Sequence, residues 1–325
     1  MKSNVTMQIS SWHPDKPTSK GAIAYHNAVA NAPYYIEGLD ELREIVYQNI
    51  KSGDIIVDFG SGTGSSALHL LKHIKVFIKL WLVDNSPAWL GKAYEVFSNN
   101  PNVGCFLLEK INGRYATLAE TIGEGVVDHV ISAHTVHLIS NLEDTFKGIN
   151  AALKPQGSFT FQSGNMIRDS REDGVLMIDD TIKRVHDIAL EIVSKDKKFE
   201  KYRRGIDKCM ENETKQRKIV FPDPRPLEHY LSALKTASFK YKEPYHKLIR
   251  IPYKDWMDFL KVKRLQAGIL PEIGGKEPSP EEEKDRDELI TISANQLFRE
   301  LETQNPMSDE RCFTVEFIYV KAIKE

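Results

Sequence analysis

The segment DIIVDFGSGTG at residues 54–64 constrains the fold of this chain more than any other. An apolar, β-branched run ends in Asp58-Phe59, and three glycines separated by single residues follow. The next residues, 65–71, have a helix-like composition, so the pattern predicts a buried strand, a tight turn and a helix. Glycine is required where the backbone takes a positive φ or where a Cβ would strike a ligand. The sequence therefore predicts a ligand-binding turn at Gly60, Gly62 and Gly64.

The spacing of the glycines narrows the type of ligand. Dinucleotide sites favour Gly-x-Gly-x-x-Gly, whereas this turn reads Gly-x-Gly-x-Gly. An NAD-linked oxidoreductase is therefore disfavoured. A second apolar strand, KLWLVD at 79–84, ends in Asp84 about twenty residues after the turn, where a carboxylate at the second strand accepts hydrogen bonds from ribose hydroxyls.

A third block completes the pattern. The run VVDHVISA at 126–133 predicts strand four, and a helix is predicted from Leu142 to Leu153. The sequence KPQG at 154–157 then precedes strand five at 158–161. The three motifs occur in a consistent order and separation, which makes the combined signal much more specific than one glycine turn.

These motifs resemble those of the class I S-adenosylmethionine-dependent methyltransferases, and the resemblance covers roughly residues 50 to 165. The resemblance implies an enzyme that uses S-adenosyl-L-methionine. It also implies an α/β fold with a seven-stranded Rossmann-like methyltransferase sheet, helices on both faces and a helical cap. The expected strand order is 3-2-1-4-5-7-6 with the last strand antiparallel, the seventh being the alternating run at 312–322.

The resemblance also implies a set of cofactor-binding residues. Asp84 matches the acid that binds the ribose, and Asp58 is expected either in the cofactor shell or as a cap of the turn. Glu109 or Asn112 is expected at the adenine, although the segment after strand three departs from the family pattern. The full predicted set is Asp58, Gly60, Ser61, Gly62, Thr63, Gly64, Asp84, Asn85, Glu109, Asn112 and His134.

Two histidines are the candidate catalytic residues. His134 and His137 follow strand four, at the edge where open α/β sheets bind ligands. Histidine titrates near neutral pH and can take a proton from a hydroxyl or an amine. A histidine at the His137 position usually packs structurally in the resembled family, so both roles stay open for it. No histidine or cysteine spacing indicates a metal site. Further aromatic candidates for the pocket wall are Tyr25, Tyr34, Tyr35, Trp256 and Phe259.

Composition sets the class of protein and of partner. The 325 residues are 41% hydrophobic and 28% charged, with a net charge of −2, which is ordinary for a globular protein. This balance shows no basic signal for nucleic acid, and no apolar run is long enough to span a membrane. Three scattered cysteines fit a reducing, cytoplasmic setting. We expect a small-molecule substrate, and a homodimer is compatible with the sequence.

Four segments are expected along the chain. Residues 1–50 form an N-terminal helical segment that covers the cofactor, and residues 51–164 form the cofactor-binding core. Residues 165–240 form a helical insertion and return to the sheet. Residues 241–325 carry strands six and seven with a helical addition.

The predicted function is methyl transfer to oxygen or nitrogen of a small organic metabolite, with carbon less favoured. Helical additions at 165–240 and 253–305 are expected to form a cap over the carboxyl edge of the sheet, which would enclose a small substrate and obstruct a polymer. Nucleic-acid amine methyltransferases carry Asp/Asn-Pro-Pro-aromatic after strand four, whereas this chain has SAHTV at 132–136. An RNA or protein methyltransferase, or a non-catalytic protein that binds the same cofactor, remains the alternative.

Overall fold

The computed structural model of the protein describes residues 11–204, 206–207, 211, 222–262, 279–304 and 311–325. Strands and helices alternate through the first half of the chain. They are α1 (Lys20–Val29), α2 (Pro33–Tyr47), β1 (Ile55–Phe59), α3 (Ser65–His73), β2 (Lys79–Asp84), α4 (Pro87–Phe97), β3 (Val103–Leu107), β4 (Lys110–Ile111), β5 (Arg114–Tyr115), α5 (Leu118–Ile122), β6 (Val127–Ala133), α6 (Leu142–Ala152) and β7 (Leu153–Ser163).

The second half carries longer helices and the remaining strands. They are β8 (Met166–Ile167), α7 (Ile178–Lys195), β9 (Arg225–Pro226), α8 (Leu227–Thr236), β10 (Phe239–Tyr241), β11 (Tyr245–Pro252), α9 (Tyr253–Leu260), α10 (Pro280–Gln304) and β12 (Cys312–Lys324). Short 3₁₀ turns lie at Val136–Leu138 and Lys197–Tyr202.

The central sheet has the order β10-β12-β7-β6-β1-β2-β3, and β11 also pairs with β12. Strands β10 and β11 pair antiparallel with successive stretches of β12, so together they form one interrupted edge strand. Strand β12 is antiparallel to β7, and the pairs from β7 to β3 are parallel. The predicted order 3-2-1-4-5-7-6, with the last strand antiparallel, is confirmed.

The sheet is covered on both faces because neighbouring residues of β1 point in opposite directions. Ile56 packs on one side with Leu70 of α3. Val57 packs on the other side with Phe146 of α6 and Phe159 of β7. Parallel strands buried on both faces are continuous apolar runs in sequence, as residues 55–57 are.

Strands β11 and β12 extend past the carboxyl end of the parallel strands. Ile318 is paired with Ser163 at the end of β7, whereas Phe313 is paired with Ile251 alone. Side chains of the cap helices pack on this two-stranded ribbon, including Trp256 of α9. The helices added to the core therefore stand at the carboxyl edge of the sheet, while the segment boundaries expected from the sequence stay predictions.

Strand β7 is longer than the sequence indicates, because it spans Leu153–Ser163, whereas residues 158–161 are predicted. Helix α10 begins at Pro280, where Ser279 and Glu282 form reciprocal side-chain to backbone hydrogen bonds. Such a capping box, with proline at the first helical position, starts a helix inside a segment whose composition resembles a loop. Within the described ranges, no helix combines the length and the apolar character that crossing a membrane requires.

Candidate functional site

The three glycines of the turn between β1 and α3 adopt a left-handed backbone. The φ angles of Gly60, Gly62 and Gly64 are 71°, 55° and 80°. A Cβ on Gly60 would lie 2.1 Å from Cγ2 of Thr135, a distance no side chain tolerates. The Gly60 amide donates to the carbonyl oxygen of Val83 at 2.7 Å. The turn is thus held between β2 and the loop after β6, and the predicted need for glycine has a steric cause.

Asp84 joins this turn to the end of β2. Its Oδ2 accepts a hydrogen bond from the Gly62 amide at 2.8 Å, and its Oδ1 accepts one from the Ser86 amide at 2.8 Å. Each carboxylate oxygen can accept more than one hydrogen bond. Asp84 also lines a cavity at the carboxyl edge of the sheet, described below. Its carboxylate can therefore hold the turn and still accept a hydrogen bond from a ligand hydroxyl.

Asp58 lies beneath the turn and is completely buried. Its Oδ2 accepts a hydrogen bond from the Ser66 hydroxyl at 2.5 Å, while its Oδ1 has no hydrogen-bond partner. Burial, reinforced by the nearby charge of Asp84 and opposed by the Ser66 hydrogen bond, raises the pKa of Asp58 to about 7. The structure thus places Asp58 under the turn and outside the lining of the cavity.

A cavity of about 1140 Å³ opens at the carboxyl edge of the sheet. It brings together most residues that the sequence predicts for the cofactor site. These are Gly60, Ser61, Gly62, Thr63, Asp84, Asn85 and His134, and His137 also reaches it. Gly64 does not line the cavity; its Cβ position is filled by Phe97 at 2.8 Å, so it lets α3 pack closely on α4.

The structure does not bring Glu109 or Asn112 to this cavity. Both residues are exposed, because the chain leaves β3 as the β4–β5 hairpin. Asn112, with a φ of 51°, lies at its turn. Leu108 and Ala116, on either side of the hairpin, line the cavity instead. Gly113, Arg114 and Tyr115 of the same hairpin do line the cavity, so the contact expected between adenine and Glu109 or Asn112 stays a prediction.

His134 occupies a constrained position at the end of β6. Its φ is 51°, a conformation that is uncommon for any residue except glycine. The imidazole stacks on Tyr35, with ring centroids 5.1 Å apart, and meets Phe317 edge-on at 4.8 Å. Its Nε2 is buried and has no hydrogen-bond partner. Burial, with a smaller contribution from His137, lowers the pKa of His134 to about 3, so the ring is neutral at physiological pH.

His137 is held by the residues around it. Its Nδ1 lies 2.9 Å from the hydroxyl oxygen of Ser163. Nη2 of Arg225 donates to the carbonyl oxygen of His137 at 3.2 Å and to that of Ile139 at 2.7 Å. Burial, with the charge of Arg225, lowers the pKa of His137 to about 4. Both candidate histidines therefore reach the cavity as neutral rings with low basicity.

The sequence did not single out several other residues at the site. A Cβ on Gly62 would lie 3.6 Å from the Trp89 ring, and Nδ1 of His26 is 3.1 Å from the Thr63 hydroxyl. Asn165 and Asp179 line the cap side of the cavity. No local motif marks these residues, because they come from α1, α4, the loop after β7 and the start of α7. The aromatic residues expected at the wall, Tyr25, Tyr34, Tyr35, Trp256 and Phe259, all line the cavity.

Acidic, histidine and cysteine side chains do not cluster as a metal site anywhere in the part of the chain that the structure describes. The cavity lining combines the glycine turn, the carboxylate of Asp84, two neutral histidines and aromatic rings. It also includes the charged side chains Arg114, Glu120, Glu124, Asp144, Lys147 and Asp179.

Comparison with known proteins identifies the core. Residues 57–161 match the family described as "Methyltransferase domain". A curated relative, the polyketide synthase-nonribosomal peptide synthetase phmA of Phaeosphaeria nodorum, is 28% identical over 103 residues, 31% of this chain. The match spans only 2% of that much longer protein.

Two solved structures are similar to this chain. The YcgJ protein from Bacillus subtilis superposes with a TM-score of 0.51 at 14% identity, covering 89% of this chain and 98% of that one. A phosphoethanolamine N-methyltransferase 2 from Haemonchus contortus, solved with phosphomonomethylethanolamine and S-adenosylhomocysteine, gives a TM-score of 0.49 at 17% identity, covering 94% of this chain and 57% of that one. The strand order and the glycine turn agree with this match, and residues 57–161 form a methyltransferase domain of the class I S-adenosylmethionine-dependent type.

Proposed function

We propose that the methionine end of S-adenosylmethionine lies over Gly60–Gly64 and that its ribose hydroxyls donate to Asp84. The residues present fit such a ligand. The Ser61 hydroxyl is buried with no partner beside the turn, and buried polar groups are normally hydrogen-bonded. At Gly62 the nearest side chain to a Cβ position is the Trp89 ring at 3.6 Å, so this glycine leaves room for a ligand beside the backbone. Leu108 and Leu138 offer apolar surface in the same cavity for the adenine ring.

We propose further that the methyl acceptor is a small organic metabolite. The single observation that carries this proposal is that cap residues and cofactor residues line one cavity. Tyr25 of α1, Ile178 of α7 and Phe259 of α9 face the same space as Asp84. Helices on this edge enclose a small molecule and exclude bulk water, and the same helices would obstruct a polymer chain.

The chemistry requires mainly positioning. When bound, S-adenosylmethionine would supply an activated methyl group for transfer to the acceptor oxygen or nitrogen, leaving S-adenosylhomocysteine, and the proton of the acceptor would pass to solvent. Side chains of the cavity then hold the acceptor in line and limit access of water. Because a base with a pKa near 3 captures protons poorly at neutral pH, we assign His134 a hydrogen-bonding role.

Two measurements test this function. Isothermal titration with S-adenosylhomocysteine should show binding at one site per chain. Transfer of a radiolabelled methyl group from S-adenosylmethionine should then appear in the small-molecule fraction of a metabolite extract. Label in the RNA or protein fraction instead would overturn the small-molecule acceptor. Tight binding with no transfer to any fraction would favour a non-catalytic cofactor-binding protein.

A further inference from the structure

The glycine turn is held from both of its neighbouring strands. On the β2 side, the amides of Gly60 and Ser61 donate to the carbonyl oxygen of Val83 at 2.7 and 3.1 Å. On the β6 side, the Thr135 hydroxyl donates to the carbonyl oxygen of Gly60 at an Oγ1–oxygen distance of 3.0 Å. No other hydrogen bond to this carbonyl occurs among the residues that the structure describes. The backbone at Gly60 is therefore fixed by β2 through its amide and by the loop after β6 through one hydroxyl.

Thr135 also shapes the loop to which it belongs. Its hydroxyl lies 3.1 Å from the carbonyl oxygen of Ala133, so the single hydroxyl hydrogen is shared between two carbonyl groups. The backbone carbonyl oxygen of Thr135 accepts a hydrogen bond from the Leu138 amide at 2.8 Å, at the 3₁₀ turn that follows. The same loop brings both candidate histidines to the cavity. One side chain thus connects the proposed cofactor turn with the loop that carries these histidines.

The position of Thr135 differs from that of a nearby hydroxyl in the interior of the sheet. Ser132 of β6 donates to the carbonyl oxygen of Phe59 at 2.8 Å, but it is completely buried and lies outside the cavity lining. Thr135 is partly buried, and both Thr135 and Gly60 line the cavity. Because a Cβ on Gly60 would lie 2.1 Å from Cγ2 of Thr135, the loop and the turn are in close contact at this point. A shift of the turn at this contact would therefore change the shape of the cavity wall.

We propose that Thr135 is a positioning residue for methyl transfer, because its hydroxyl fixes the glycine turn, and with it the bound cofactor, against the loop after β6. The proposal rests on the proposed function, since it requires the cofactor to lie over this turn. Methyl transfer depends on alignment of the reacting groups, and a misplacement of about 1 Å lowers a rate about a hundredfold. Thr135 acts through the backbone of Gly60, and no contact between Thr135 and the substrate is required.

Substitutions at Thr135 isolate the contribution of the hydroxyl. Thr135→Val replaces the hydroxyl with a methyl group of similar volume, and Thr135→Ser differs from Thr135→Ala by the hydroxyl alone. Each variant of the full chain is titrated with S-adenosylhomocysteine by calorimetry. We expect Thr135→Val and Thr135→Ala to weaken binding by about threefold to tenfold, the effect of one lost hydrogen bond. Thr135→Ser keeps the donor and should bind within about twofold of wild type.

A transfer assay tests placement separately from affinity. With radiolabelled S-adenosylmethionine at a saturating concentration, incorporation of label into the metabolite extract should be at least about tenfold slower with Thr135→Val than with wild type. Thr135→Ser should keep a rate close to that of wild type. An unchanged rate in Thr135→Val would show that the hydroxyl does not align the reacting groups, and it would overturn the proposal.

Two other threonines provide matched controls for the same chemical change. Thr160 of β7 is completely buried, and its hydroxyl has no hydrogen-bond partner within the described ranges. The Thr121 hydroxyl of α5 donates to the carbonyl oxygen of Thr117 at 2.9 Å, as Thr135 does to that of Gly60. Neither control residue lines the cavity. Thr160→Val and Thr121→Val should therefore bind S-adenosylhomocysteine as wild type does.

The outcomes separate positioning from a purely structural role. A purely structural hydroxyl would lower the unfolding temperature of Thr135→Val and leave the affinity of the folded protein for S-adenosylhomocysteine unchanged. That result would overturn the proposal and leave the proposed function standing, and so would equal weakening in Thr135→Ser and Thr135→Ala or in a control. If Thr135→Val does not fold, the comparison of Thr135→Ser with Thr135→Ala decides. Failure of the wild-type chain to bind S-adenosylhomocysteine would reject both proposals.

Discussion

The Asp84 carboxylate accepts a hydrogen bond from the amide of Gly62, 22 residues earlier in the chain, at an Oδ2–nitrogen distance of 2.8 Å. One contact thereby joins the end of β2 to the middle of the glycine turn. The residue that we propose for the ribose also shapes the turn that we propose for the methionine end. Changes at either position should therefore affect both the local backbone and cofactor affinity.

Replacement of Asp84 tests the cofactor site directly. We expect Asp84→Ala to weaken S-adenosylmethionine binding by roughly 1.5–3 kcal/mol, because charge-assisted hydrogen bonds to the ribose are lost. Asp128→Ala is the matched control. The Asp128 carboxylate also accepts a backbone hydrogen bond, from Ile55 at 2.9 Å, and lies outside the cavity lining. Calorimetry should show unchanged affinity for that control, and unchanged affinity in folded Asp84→Ala would remove Asp84 from the site.

Alanine substitutions at two glycines with positive φ distinguish the cost of backbone strain from the cost of steric overlap. Gly53 has a φ of 96° with nothing near its Cβ position, whereas Gly60 has a φ of 71° and faces Thr135. Gly53→Ala should cost about 1–2 kcal/mol of unfolding free energy from the left-handed conformation alone. Gly60→Ala should cost about 1–3 kcal/mol more from overlap. Urea unfolding measures both, and equal losses would mean that Thr135 moves aside without penalty.

Asp58 should make stability depend on pH. Its pKa is raised to about 7 in the folded protein, so the folded state binds this proton more tightly than the unfolded state does. The resulting stabilisation is complete below the ordinary aspartate pKa and is lost as pH rises toward 7. In the ligand-free protein, we expect Asp58→Asn to gain unfolding free energy relative to wild type at pH 8 compared with pH 5. A difference independent of pH would show that Asp58 is ionised in the fold throughout this range.

His26 connects the N-terminal helix to the glycine turn. Its Nδ1 lies 3.1 Å from the Thr63 hydroxyl, and Thr63 lines the cavity. We expect His26→Ala to weaken S-adenosylhomocysteine binding by about threefold to tenfold, as loss of one hydrogen bond predicts. His13→Ala removes a similar contact, to the Tyr94 hydroxyl at 3.1 Å, away from the cavity lining. Similar affinities for the two variants would show that α1 does not support the cofactor site.

Part of the fold and of the candidate site could be predicted from the local sequence. The apolar run before Asp58, the glycine spacing and the acid at Asp84 act over short stretches, so strand, turn and helix could be predicted from composition and spacing. The strand order also followed, because the motifs match a family in which this order is regular. Asp84 needed no tertiary information, since an acid at the end of the second strand of such a sheet lies beside the turn.

Other features of the site depend on contacts between segments that are distant in sequence. The sequence did not reveal the β4–β5 hairpin, in which Glu109 and Asn112 have exposed side chains outside the cavity lining. The low basicity of His134 arises from enclosure by Tyr35 of α2 and Phe317 of β12, which are far away along the chain. Local pattern determined the cofactor turn because its atoms are neighbours in sequence. Only tertiary packing decided the burial, charge state and ring contacts of the cap side of the cavity.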